Sequence, residues 1–341
     1  MEWIVAPAVK AGDRVAIIAP ASPVSVDLLE AGIAVLRSWD LVPVVHPQVW
    51  SKQGYLAGSD EERADALVGV LDDPSIAAVV CAQGGYGCTR LLELLPISRI
   101  GAHNLPSKRF FGFSDITALH SLMRVAVPGY VSFYAPMLAT SYFAKSTELS
   151  RESLRLSMFA PNLQSACPPL KGRCLQMGRA RSTNGVVSGR LVGGNLTVFT
   201  NCLATPWQED MERCILILED VHEAPYSVDR MFTHLKSVSP DQEVLKKIEA
   251  LVLGDFGDAL RRNYEELACA NKMVTQETVE KWFWLEQMRL PPDLPVLSGL
   301  PIGHIGDNRV VPLGAFVDVN LRTCSLSVSS LVGRPSHNSR L

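Results

Sequence analysis

The sequence has little that would point to a metal, a disulfide frame, a membrane or a nucleic acid. Its eight cysteines (Cys81, Cys88, Cys167, Cys174, Cys202, Cys214, Cys269 and Cys324) form no C-x-x-C pair. Most fall in apolar segments, which predicts buried reduced thiols. No pair of histidines has H-E-x-x-H or other ligand spacing, so neither metal nor cofactor is expected. No apolar run approaches the length of a membrane span. The N-terminal run is interrupted by Lys10, Asp13 and Arg14 and is not a signal peptide, so a cytoplasmic location is the expectation. With 32 basic and 35 acidic residues the net charge is −3, which leaves no basic footprint for nucleic acid and no polybasic membrane patch. Repeats and low-complexity tracts are absent. The last three residues, Ser339-Arg340-Leu341, loosely match a peroxisomal address, a match we read as chance. The partners left are a small molecule, a peptide or a second copy of the chain.

Apolar residues make up 47% of 341 positions, enough for two packed cores. The first half alternates strand-like and helix-like segments. RVAIIAP is a short apolar run closed by Pro20, and SVDLLEAGIAVLRSW has apolar residues at helical spacing. SDEERADALVGVL opens with Ser59 and Glu62 in capping-box spacing. SIAAVVCA, TRLLELL, RFFGF and ITALHSLM repeat the unit. Such alternation predicts an α/β domain with a mostly parallel, Rossmann-like (flavodoxin-like) sheet over 1–145. Ligands of such sheets bind at the carboxyl ends of the strands. Residues 146–184 show weak periodicity and read as a linker. Short strands dominate 185–333, predicting a C-terminal α+β domain, and 334–341 read as a tail.

Four stretches carry candidate chemistry. In CAQGGYGCTRLL, glycines after a strand would let backbone N–H groups approach an oxyanion or phosphate, or would form an ordinary tight turn. The spacing is neither G-x-G-x-x-G nor a P-loop. Ser114, in GFSD, joins an apolar strand to a helix. It suits an N-cap, the commoner role, and also a nucleophile on a sharp turn. Asp115 after it is favoured by the helix dipole. Glu219 and Asp220 end the buried run CILILED, where a carboxylate must find partners. His304 lies among Gly299, Gly303 and Gly306, on a loop with little bulk. His120, six residues past Ser114, is carried about one and a half helical turns away, so it is a poor base for that serine.

In order, Gly84-Gly85-Tyr86-Gly87, Gly112-Phe113-Ser114-Asp115-Ile116-Thr117, Gly193-Gly194-Asn195-Leu196, Leu218-Glu219-Asp220 and Gly303-His304 resemble the LD-carboxypeptidases. These are serine peptidases that include murein tetrapeptide carboxypeptidases and microcin C immunity peptidases. The resemblance spans about Ala11 to Val332. It implies Ser114 as nucleophile, Glu219 as orienting acid and His304 as general base, meeting in a cleft between two domains. It also implies the backbone N–H groups of Gly85 and Asp115 as oxyanion hole, a small peptide substrate and a homodimer. The family usually has Arg before GGYG, where this chain has Gln83, so Gln83 is a candidate for altered substrate binding. An exopeptidase also needs a cation for the terminal carboxylate, and Arg230 is the candidate, unless it forms a structural pair with Glu219 or Asp229.

The implied function is hydrolysis of the bond between an L-centre and a C-terminal D-residue, as when murein tetrapeptide loses D-Ala in peptidoglycan recycling. Two alternatives stand beside it. One is an immunity-type peptidase acting on aminoacyl-nucleotide conjugates, for which Trp282, Phe283 and Trp284 would offer an aromatic shelf. The other is a non-catalytic binding module on the same scaffold.

Overall fold

The computed structural model describes residues 3–102, 105–238, 243–257, 259–261 and 275–330. The tail 334–341, His103, His337 and Cys269 lie outside the described residues. In chain order the strands are β1 (Arg14–Ile18), β2 (Val42–Val45), β3 (Ile76–Cys81), β4 (Arg109–Gly112), β5 (Ser132–Tyr134), β6 (Leu170–Lys171) and β7 (Arg173–Gln176). There follow β8 (Val186–Asn195), β9 (Cys214–Glu219), β10 (Ala250–Leu253), β11 (Val296–Ser298), β12 (Val311–Leu313), β13 (Phe316–Asn320) and β14 (Ser325–Val328).

The first sheet has the order β12-β5-β4-β3-β1-β2. Strands β1 to β5 run parallel in the doubly wound order expected from the alternation. The inner strands β3 and β4 are almost wholly buried because helices cover both faces, while edge strand β2 is half exposed. The capping box forms at the start of helix Asp60–Asp72. Ser59 Oγ accepts the Glu62 N–H at 3.1 Å, and Glu62 returns a carboxylate to the Ser59 N–H at 2.8 Å. The edge strand β12 comes from the C-terminal half and pairs antiparallel with β5.

The second sheet has eight strands in the order β6-β14-β13-β8-β9-β10-β11-β7. Its centre, β8 to β11, is parallel, and its flanks are antiparallel. The β8–β9 register sets Asn195 beside Glu219, so both reach the same end of the sheet. An apolar cluster runs from the first sheet into the second, joining Phe110, Leu119 and Met123 with Val198, Ile217 and Val252. A buried ion pair crosses in the same direction, from Arg124 to Glu209.

Residues 146–184 differ from the linker expected of them. They form helix Glu148–Phe159, helix Leu163–Ala166 and strands β6 and β7 of the second sheet. The buried face of the longer helix holds Ser150, Ser153 and Ser157 beside Leu154 and Met158, which blurs its amphipathic pattern. Those serines are used: Ser150 Oγ donates to Asn308 O at 2.6 Å, and Ser153 Oγ accepts from Val310 N at 2.9 Å. The helix therefore clamps the segment between His304 and β12.

Candidate active site

Ser114 follows β4 at its carboxyl end and has φ +62°. A serine in the left-handed region is strained by roughly 1–3 kcal/mol, a cost met mostly at functional positions. The strain has a local origin. Phe113 is extended, a 3₁₀ turn begins at once at Ser114–Ile116, and helix Thr117–Ala126 continues from it. Three contacts hold the turn. Ser114 N–H donates to Tyr134 Oη at 3.0 Å, Ser114 O accepts from Thr117 Oγ1 at 2.7 Å, and Thr117 Oγ1 in turn accepts the Asn195 N–H at 3.0 Å. The Ser114 hydroxyl makes no capping bond. It lies 3.1 Å from His304 Nε2.

Behind the imidazole, His304 Nδ1 lies 2.8 Å from Glu219 Oε2. Glu219 ends β9 fully buried, so both oxygens need partners. Oε2 has His304. Oε1 accepts from Tyr134 Oη at 2.6 Å and, at 3.4 Å, from Asn195 Nδ2. Burial, and then the Glu219 charge, push the Tyr134 pKa well above the usual phenol value, so Tyr134 stays a donor. Burial of His304 disfavours its cation. Glu219 opposes this by charge and hydrogen bond, aided by Asp220 and Asp255, and the net His304 pKa lies above its ordinary value. Asp220 is tied elsewhere, to Asn195 Nδ2 and to the N–H and hydroxyl of Thr197.

The loop bearing His304 is fixed from several directions. Gly303 has φ +123°, and a Cβ there would come within 2.7 Å of Glu219 Oε2, so only glycine lets the chain pass the acid. Gly303 N–H donates to Asn308 Oδ1 at 3.1 Å, and Thr147 N–H donates to Gly306 O at 3.0 Å. Rings of Phe113 and Tyr142 flank the imidazole, with centroids 4.8 and 5.4 Å away.

The Gly84–Gly87 turn abuts the serine: a Cβ on Gly84 would sit 3.2 Å from Ser114 Oγ. Asp115 locks this turn to the next, because its buried carboxylate accepts the Cys88 N–H at 2.8 Å. Burial raises the Asp115 pKa, and the Cys88 bonds and Arg63 only partly offset it. Among the described residues, the backbone N–H groups of Gly85 and Asp115 find no protein acceptor. A cleft of about 750 Å³ opens here, lined by Gln83, Gly84, Gly85, Ser114, Tyr142 and His304, among others.

Of the residues singled out from sequence, Ser114, Glu219, His304, Gly85 and Asp115 therefore converge, and Gln83 lines the same cleft. Gln83 Oε1 is buried with no hydrogen-bond partner among the described residues. Arg230 is exposed on helix Pro225–Ser237 and is not among the cleft-lining residues. The aromatic cluster is core: Phe283 and Trp284 are buried and pack with Phe232 and Phe256. His120 is buried between Ser132 Oγ and Gly112 O, and burial lowers its pKa to about 3. Sequence reasoning missed Tyr134 and named Asn195 within its motif without assigning it a role. The signal for Tyr134 was a tyrosine ending a buried strand, whose hydroxyl must find a partner.

Comparison with known proteins gives matches along most of the chain. Residues 15–135 match the family description "LD-carboxypeptidase N-terminal domain", and residues 188–319 match "LD-carboxypeptidase C-terminal domain". The murein tetrapeptide carboxypeptidase of Pseudomonas aeruginosa is 32% identical over 305 residues, covering 88% of this chain and 91% of the relative. The microcin C7 self-immunity protein MccF of Escherichia coli is 25% identical over 301 residues, covering 81% and 80%. The crystal structure of muramoyltetrapeptide carboxypeptidase from Oxalobacter formigenes superposes with a TM-score of 0.71 at 28% identity, covering 92% of this chain and 97% of that one.

Proposed function

The chain belongs to the LD-carboxypeptidase family, and on that premise we propose that it is a serine carboxypeptidase releasing a C-terminal D-residue from an L-centre. Its substrate in this reading is a murein tetrapeptide, cut to tripeptide and D-Ala in peptidoglycan recycling. The observation that carries the reading is the continuous contact from Ser114 Oγ to His304 Nε2 (3.1 Å) and from His304 Nδ1 to Glu219 (2.8 Å). We propose two domains meeting at the cleft, the first built on 1–145 with edge strand β12 and the second on 185–333 with β6 and β7, together with a cytoplasmic location and a homodimer. Among the described residues no helix is long and apolar enough to cross a membrane.

In this mechanism neutral His304 takes the Ser114 proton at Nε2 while Oγ attacks the scissile carbonyl carbon. Glu219 accepts from Nδ1–H, fixes the tautomer and stabilises the imidazolium. The carbonyl oxygen, now anionic, is met by the N–H groups of Gly85 and Asp115. Each such donor is worth about 3 kcal/mol in comparable sites. The C–N bond breaks as His304 returns the proton to the leaving amine, giving an acyl-serine and the free D-amino acid. Water then attacks the ester, with His304 again as base.

The experiment is turnover of murein tetrapeptide and of an aminoacyl-sulfamoyl adenosine by wild type and Ser114→Ala. D-Ala release by wild type alone is expected. Cleavage of the nucleotide conjugate alone would favour an immunity-type peptidase, and turnover of neither would favour a binding module. The burial of Phe283 and Trp284 in the core counts against the aromatic shelf that a nucleotide base would need.

A further inference from the structure

The charge of the cleft points to one more substrate contact. Among its described lining residues there is one lysine, Lys52, with no arginine, aspartate or glutamate. The nearest carboxylate, Glu219, lies behind the His304 ring and is spent on it, so Lys52 is the formally charged side chain that this lining offers a ligand. Arg63 and Arg90 both pair with Asp60, whose single charge offsets one of them, and neither lines the cleft. Lys52 makes no ion pair or side-chain hydrogen bond with the described residues.

Lys52 is also held by a braced loop. The 3₁₀ helix Pro47–Trp50 precedes it, capped by His46 Nδ1, which accepts from Gln48 N at 3.2 Å. The buried Gln48 side chain ties the start of the loop to its far end at Ala57 and to Ala19, just past β1. Its Nε2 donates to Ala19 O at 2.9 Å and to Ala57 O at 2.5 Å, and its Oε1 accepts from Ala19 N at 3.3 Å. Just past Lys52, Gln53 and Leu56 exchange backbone bonds of 2.8 and 3.1 Å. An ammonium on such a loop, beside a cleft with no aspartate or glutamate among its described lining residues, is placed to receive an anion.

We infer that Lys52 binds a carboxylate of the peptide substrate, an inference that rests on the carboxypeptidase reading. Two sources have this chemistry: the terminal carboxylate of the leaving residue and a side-chain carboxylate on the retained peptide. The test uses the full-length Ser114→Ala protein, which should bind without turnover, and titrates it calorimetrically with murein tetrapeptide. Two further titrations use the peptide amidated at its C-terminus and the peptide amidated at its internal carboxylates.

Adding Lys52→Met should weaken binding of the unmodified peptide roughly tenfold, as expected for loss of one charge-assisted contact. It should also flatten the dependence of affinity on salt, and Lys52→Arg should restore both. The amidated peptide whose affinity no longer responds to Lys52→Met identifies the carboxylate. Unchanged affinity and salt dependence in Lys52→Met would overturn the inference, even with wild type active on the tetrapeptide. Lys52-dependent binding with no D-Ala release by wild type would uphold the contact and sink the proposed reaction. Absence of binding to all three peptides would overturn both.

Discussion

Replacing Tyr134 by Phe keeps the ring and removes one oxygen, yet that oxygen joins the two halves of the site. It accepts the Ser114 N–H at 3.0 Å and donates to Glu219 at 2.6 Å. The ring contacts with Phe113 and His120 should survive, so the change isolates the hydroxyl. Two terms then follow. A hydrogen bond to a charged carboxylate is worth about 1.5–3 kcal/mol, and the half-buried Ser114 N–H left without an acceptor costs a further ~1 kcal/mol. Together they predict a stability loss of about 3 kcal/mol. Glu219 Oε1 keeps only the 3.4 Å contact to Asn195. Its charge is then less delocalised into donors and draws more strongly on the imidazolium, so the His304 pKa rises further. The enzyme needs neutral His304, and activity is lost as pH falls through that pKa. The acid limb of kcat/KM should therefore move to higher pH. Urea unfolding and a pH–rate profile on tetrapeptide measure the two effects. Unchanged stability together with an unmoved acid limb would refute the bridging role of Tyr134.

In the wild type, the acid limb should lie above the ordinary histidine value of 6.5, because Glu219, Asp220 and Asp255 together outweigh the burial of His304; a limb below 6.5 in a pH–kcat/KM profile would contradict this. Gly303→Ala places a Cβ within 2.7 Å of Glu219 Oε2 at φ +123°, and should lower kcat about a hundredfold, measured by D-Ala release. Glu209→Ala strands the buried Arg124 between the two sheets, and should cost about 3–5 kcal/mol in chemical unfolding.

The parallel order of the first sheet was legible because β1, β3 and β4 are short apolar runs alternating with helices. Ser114 was legible as a residue but ambiguous in role. On local grounds a cap was favoured, and only its φ and the approach of His304 show that its hydroxyl is not spent on the helix. Glu219 and His304 could be named, but not the partners of Glu219. Tyr134 lies 85 residues away and meets the acid only when β5 and β9 are brought end to end. Edge strand β12 was missed because its pairing with β5 is remote and Pro312 weakens its strand signal. Proline is tolerated there because an edge strand need not donate on both sides. Helix Glu148–Phe159 was hidden by its buried serines, which answer to backbone groups at 308 and 310 rather than to an apolar core. The Trp282–Trp284 cluster has the opposite lesson: aromatic residues close in sequence were packing, as their bulk favours.

In the proposed mechanism Ser114 is the nucleophile, activated through His304 by Glu219. The most direct test is labelling with a fluorophosphonate followed by peptide mass spectrometry. One adduct is expected, on the peptide containing Ser114, formed by wild type and strongly slowed in His304→Ala. An active enzyme that takes no label at Ser114, or that labels equally well without His304, would contradict that mechanism.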